Sequence, residues 1–208
     1  MKSYFRIIIT LICIFKVSYT YADYQAQDFF EDASLEYISA EDIISQDEKD
    51  SIMESGFAVS LERSSSFSVI SNEPARLQLR NVDIHVYSHD DGGYVVSVTS
   101  ILGNHGQTHY YTFYEISDSG QIVTELSSDD LGLSDVLNNE FLDKRDFFHE
   151  EDNYPVNLYI QHDGTFLAAP WTWMNPDWED RKIVNEISFY WTGIVFQKVV
   201  IRLSELKC

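Results

Sequence analysis

A regular alternation of apolar and polar side chains across residues 77–126 constrains the fold of this chain more than any other feature. Val82, Ile84 and Val86 alternate with polar neighbours, and a period of two predicts a β-strand with one buried face. Three polar, glycine-containing turns interrupt the pattern, at residues 89–93, 103–107 and 118–120. The region therefore predicts four consecutive strands joined by short turns, which is an antiparallel meander.

The β pattern returns in the last third of the chain as two predicted hairpins. Their strands are predicted at residues 157–161 and 165–173, and at residues 186–191 and 195–203. Helical spacing predicts one helix that starts near Ser39 and ends at Gly56, and a second that starts at Ser134 with Leu137 and Phe141 on one stripe. Residues 23–38 are interpreted as an extended lead-in. These elements predict a single α+β domain, predominantly an antiparallel β-meander of about eight strands with two helices.

The first 22 residues have the features of a secretory signal peptide. Lys2 and Arg6 precede an apolar run at residues 7–15, and Ala22 stands before the first acidic residues. The alternative is a membrane anchor, but Lys16 interrupts the run well short of the roughly 20 apolar residues needed to span a bilayer. The expected organisation is a signal peptide at 1–22, a domain at 23–208, a periplasmic or secreted location, and no membrane span after cleavage.

The excess of acidic over basic side chains restricts which macromolecules the protein can bind. The chain has 34 acidic and 14 basic side chains, and removal of the signal peptide leaves 11 basic ones, a net charge of -23. Such a surface repels nucleic-acid phosphates and favours association with a basic protein, although solubility alone explains it equally well. Cys208 becomes the only cysteine, so an intramolecular disulfide is impossible.

Motifs for catalysis or cofactor binding are absent from the sequence. It has no G-x-S-x-G, H-E-x-x-H or phosphate-binding glycine loop, so no catalytic residue and no cofactor is predicted. His85 and His89, and likewise His105 and His109, are spaced i, i+4, but a zinc site needs three or four converging ligands and no metal is predicted. The first pair is expected on the solvent face of its strand, near Asp83.

An aromatic stretch supplies the candidate binding residues. Trp171 and Trp173 alternate onto one face of a predicted strand, and Trp178 follows with Asp177 and Asp180 in an irregular linker. Indole rings next to carboxylates suit either a sugar-stacking platform or a protein-binding surface, and core packing is the alternative. Three tyrosines are expected to join this platform: Tyr110, Tyr111 and Tyr114.

Several segments resemble a group of uncharacterised exported α+β proteins from anaerobic Gram-negative bacteria, a domain of unknown function. They are residues 47–56 (DEKDSIMESG), 77–79 (LQL), 94–102 and 113–116 (FYEI), with a hairpin at 191–196 (WTGIVF). In that group a helix that ends near a glycine precedes a β-meander. The resemblance implies an exported location and this fold, and it implies no chemistry.

Two functional hypotheses follow from the sequence. The first is a non-enzymatic exported protein that binds a macromolecule, as an inhibitor or protective partner of a basic protein. The alternative is a protein that binds or hydrolyses an envelope glycan through the tryptophans and nearby carboxylates.

Overall fold

In the computed structural model the protein is described at residues 24–38, 44–58, 69–102, 108–141, 156–169 and 183–203. Within these ranges the chain forms three helices and ten strands in two antiparallel sheets. The predicted β-rich α+β class is therefore confirmed. The predicted strand number was too low, and the strands divide between two sheets.

The first sheet is a six-stranded meander in which every strand pairs with the next one along the chain. Its strands are β1 Val69–Glu73, β2 Arg76–Leu79, β3 Val82–Ser88, β4 Tyr94–Leu102, β5 Thr108–Ile116 and β6 Ile122–Leu126. The turn between β3 and β4 requires Gly93, whose φ is +73° and whose position leaves no room for a Cβ beside the carbonyl oxygen of Ile116. The predicted central meander is confirmed.

The second sheet has four strands in the order β10-β9-β8-β7. They are β7 Asn157–Ile160, β8 Phe166–Ala169, β9 Asn185–Trp191 and β10 Phe196–Arg202. Both predicted hairpins are present, and β8 pairs with β9 to join them into one sheet. The predicted strand at 165–173 is described only as far as Ala169.

The three helices are α1 Ala26–Asp32, α2 Leu35–Ile38 and α3 Gln46–Glu54. The interpretation of residues 23–38 as an extended lead-in was wrong, because α1 buries Phe29 and Phe30 completely. Helix α3 begins later than predicted. Its N-cap is Ser45, which accepts a hydrogen bond from the backbone of Glu48, while the Glu48 carboxylate accepts one from the backbone of Ser45.

The predicted helix from Ser134 was wrong over its described part. Only a short 3₁₀ helix forms, at Asn138–Phe141. The backbone carbonyls that a longer helix would use are taken by neighbours: Val136 accepts from the Val156 amide and Phe141 accepts from the Val184 amide. Buried side chains such as Val136 and Phe141 thus reach the core from a mostly extended segment.

The elements stack as helices, six-stranded sheet and four-stranded sheet. Alternation along β3 divides its side chains: Ile84 and its even-numbered neighbours pack against the helices, and Tyr87 packs toward the second sheet. The second core is rich in aromatic rings, including Phe113, Phe166, Phe189 and Phe196. No helix among the described residues is long and apolar enough to cross a membrane.

Candidate functional site

The candidate binding residues from the aromatic stretch lie outside the described residues. They are Trp171, Trp173, Trp178, Asp177 and Asp180. His105 and Cys208 lie outside them as well. The assignment of these residues to binding therefore remains a prediction.

The three tyrosines expected to extend the aromatic platform do not share a surface. Tyr114 is buried beneath the helices, where it contacts Phe29 and Tyr37. Tyr111 faces the second sheet and donates its hydroxyl to the carbonyl oxygen of Leu158. Only Tyr110 is exposed. Adjacent residues of a strand point to opposite faces, and in this protein the helices pack on one face of β5 and the second sheet on the other.

Histidine 85 was expected on a solvent-exposed face, and this expectation was wrong. The face of β3 that carries Asp83 and His85 is covered by the second sheet, and each residue is only 3% exposed. The predicted proximity of the two is confirmed, because the Nε2 atom of His85 lies 3.1 Å from Oδ1 of Asp83. His89 is in the following turn and does not join them.

Arg76 completes a buried charged cluster with these two residues. Its guanidinium donates to both carboxylate oxygens of Asp83, from Nε at 3.0 Å and from Nη2 at 2.7 Å. Arg76 is itself only 7% exposed. A bidentate pair between arginine and a carboxylate is the strongest common geometry for such a contact, and burial shields it from salt.

More buried polar groups surround this cluster on the same face. Ser97 and Thr99 of β4 are fully buried, opposite His85 and Asp83 respectively. The Thr99 hydroxyl and both ring nitrogens of His109 have no hydrogen-bond partner in the described chain. No group of three His, Cys, Asp or Glu residues suited to a metal ion occurs among the described residues.

The β7–β8 hairpin of the second sheet covers this polar region. The Tyr87 hydroxyl donates to the carbonyl oxygen of Gly164 at 2.9 Å. A Cβ on Gly164 would lie 3.0 Å from the Tyr87 ring and 3.4 Å from Nδ1 of His85, and its φ is +78°. Asp83, His85 and Ser97 include the residue types of a hydrolase triad, but a substrate cannot reach a serine with no exposed surface. The cluster therefore lies buried where the β7–β8 hairpin packs on the six-stranded sheet.

Two residues of this buried region, Asp83 and His109, have shifted pKa values. Burial alone would raise the pKa of Asp83, but the His85 ring and the Arg76 guanidinium outweigh burial, so this pKa lies below its usual value. Burial lowers the pKa of His109, and the negative charge of Asp83 opposes that change only in part. With both pKa values depressed in the folded state, the unfolded chain binds more protons, so stability rises with pH across each titration.

Acidification should therefore lower the free energy of unfolding in two steps. The first begins below about pH 6.5, where an unfolded histidine takes up its proton, and the second begins below about pH 4, where an unfolded aspartate does. Urea unfolding across this pH range measures both. His109→Gln should diminish the first step. An unaltered first step in the His109 variant would contradict the assignment.

The helical layer carries many carboxylates and little positive charge. Residues 24–38 and 44–58 contain eight carboxylates: Asp28, Glu31, Asp32, Glu36, Asp47, Glu48, Asp50 and Glu54. The only basic residue of these two segments is Lys49, which is 6% exposed. Its ammonium group points inward and donates to the backbone carbonyls of Glu31 and Ala33 at 3.0 and 2.6 Å. The outer surface of the layer is therefore acidic without a compensating exposed cation among these residues.

Comparison with known proteins identifies a similar fold and no function. No family model and no curated protein matches the chain. One solved structure, described as a domain of an uncharacterized protein from Porphyromonas gingivalis W83, covers 84% of this chain and 96% of its own. The two are 12% identical with a TM-score of 0.53. At this identity the likeness concerns the fold alone.

Proposed function

We propose that this protein is a non-enzymatic, exported binding protein whose acidic helical layer contacts a basic protein, as its inhibitor or protective partner. The location depends on the predicted signal peptide at residues 1–22. The fold that this chain shares with a domain of an uncharacterized protein from Porphyromonas gingivalis W83 agrees with the fold that the resemblance implies.

The single observation that carries the proposal is the inward orientation of Lys49. A surface lysine on α3 would neutralise part of the charge of Asp47, Asp50 and Glu54. Instead the Lys49 ammonium group donates to two backbone carbonyls inside the layer, and the carboxylates around it remain exposed. Within the described chain, none of the three forms an ion pair. Carboxylates in this state steer a cationic partner toward the layer and pair with it on contact.

The affinity for basic proteins should depend strongly on salt. Residues 23–208 would be titrated with hen lysozyme and cytochrome c, two basic probes, at about 50 and 300 mM NaCl. We expect saturable binding whose Kd rises about tenfold or more with salt, because exposed charges are screened. An affinity independent of salt, or binding to neither probe, would contradict the proposal.

The glycan hypothesis remains a prediction in its original form. Its residues, Trp171, Trp173 and Trp178 with Asp177 and Asp180, lie outside the described part of the chain. The described tyrosines do not extend a common platform, so the structure offers those residues no added support.

A further inference from the structure

A groove of about 400 Å³ lies on the outer face of the four-stranded sheet. Phe166 and Phe189 point into the core between the sheets, so their neighbours Leu167 and Ser188 point outward. Leu167 and Ser188 are paired directly across β8 and β9, and both line the groove. Its volume falls in the range of about 300–1,000 Å³ typical of small-ligand sites.

The groove is lined by polar groups that have no hydrogen-bond partner among the described residues. They are the hydroxyls of Thr165, Ser188 and Tyr190, the amide of Gln161 and the carboxylate of Glu186. None of these side chains makes a hydrogen bond to another described residue. Ser188 is only 3% exposed, although it lies on the outward face of the sheet. Donors and acceptors concentrated in this way suit a ligand rich in hydroxyl groups.

An apolar surface accompanies these polar groups. The Tyr190 ring is 40% exposed and lines the groove together with the aliphatic side chain of Leu167. An exposed aromatic ring beside hydrogen-bonding groups can stack on the C–H face of a sugar while its hydroxyls are bound.

The charge of the groove restricts the ligand further. Asp163 and Glu186 are the acidic residues of its lining, and no lysine or arginine is among the described residues that line it. The one histidine there, His162, lies 3.1 Å from the Glu73 carboxylate. Two carboxylates without a basic partner in the lining repel an anionic ligand, so acidic sugars and phosphates are disfavoured.

From these features we propose that the groove is a binding site for a neutral saccharide, with Tyr190 as the stacking residue. The site differs from the tryptophan platform predicted from the sequence. It is independent of the acidic helical layer, because the six-stranded sheet separates the two surfaces. Saccharide binding and basic-protein binding can therefore succeed or fail separately.

The test is a titration of the ¹⁵N-labelled chain, residues 23–208, with maltotriose, cellotriose and N-acetylated chitotriose, followed by NMR. We expect at least one trisaccharide to give saturable shifts at Gln161–Thr165 and Ser188–Tyr190. Tyr190→Ala should weaken this binding by about tenfold, the loss expected for one stacked ring. Val123→Ala is the control, since Val123 is 58% exposed on β6, outside the groove.

Three results would overturn the proposal. The first is the absence of saturable shifts with all three sugars at millimolar concentration. The second is equal binding by wild type and the Tyr190 variant. The third is equal or stronger binding of trigalacturonate, an anionic trisaccharide used as the charge control. Thermal unfolding of both variants verifies that they remain folded.

Discussion

Replacement of Asp83 by asparagine should lower the free energy of unfolding by about 3–5 kcal/mol, the loss typical when one partner of a buried ion pair is removed. Asp83 accepts both hydrogen bonds of the Arg76 guanidinium, and both residues are almost fully buried. Asparagine retains the size of the side chain but removes its charge, so the arginine is left as an uncompensated buried cation. Urea denaturation at pH 7 measures the difference.

Two further variants give this prediction its controls. Asp129→Asn, at an exposed position in the loop after β6, should change stability by less than about 0.5 kcal/mol. The double variant Arg76→Met with Asp83→Leu should recover most of the loss, because an apolar pair needs no desolvation of charge. A loss below about 1 kcal/mol in Asp83→Asn would mean that the Arg76 cation is not left buried and uncompensated, and would contradict the burial that the structure shows.

The strands were predictable from local pattern, but the environment of their faces was not. Asp83 and His85 alternate with apolar residues of β3, and this pattern normally indicates a polar face in water. Here the second sheet, built from residues 157–202, covers that face. One sequence signal for the buried face was available: Arg76 lies on the strand that pairs with β3, and Asp83 and His85 share one face of β3. This signal indicates a buried cluster only if a distant part of the chain covers the face, and local periodicity does not predict such long-range packing.

The helical layer was only partly predictable, for a related reason. Helices as short as α1 and α2 are not stable in isolation and depend on tertiary packing. Phe29 and Phe30 supply that packing, but two adjacent phenylalanines are equally compatible with an extended segment. The start of α3 was missed because Ser39 and Asp42 resemble a capping box, whereas the complete box lies at Ser45.

The inward orientation of Lys49 is the feature of the candidate site that the sequence analysis did not predict. Lys49 stands three residues before the buried Ile52, and that spacing places the two on one face of α3. A lysine on an apolar stripe is a signal for an inward cation. The acidic net charge was evident from composition, but the absence of an exposed cation among the described residues of the helical layer follows from this orientation.

Charge reversal on the helical layer should weaken partner binding more than the same reversal elsewhere. Glu36→Lys with Glu54→Lys changes two exposed residues of the layer, and Asp129→Lys with Asp135→Lys changes two exposed residues beyond β6. Both double variants alter the net charge equally. The first should raise the Kd for a basic probe by about tenfold or more, because cations replace carboxylates at the contact surface.

The most direct test of the proposed function is therefore one calorimetric comparison of wild type and these two double variants against hen lysozyme and cytochrome c at low salt. The account predicts that the Glu36 and Glu54 variant loses affinity for the bound probe while the Asp129 and Asp135 variant stays within about twofold of wild type. Equal losses in both variants would show that net charge alone governs association, and would contradict a binding surface on the helices.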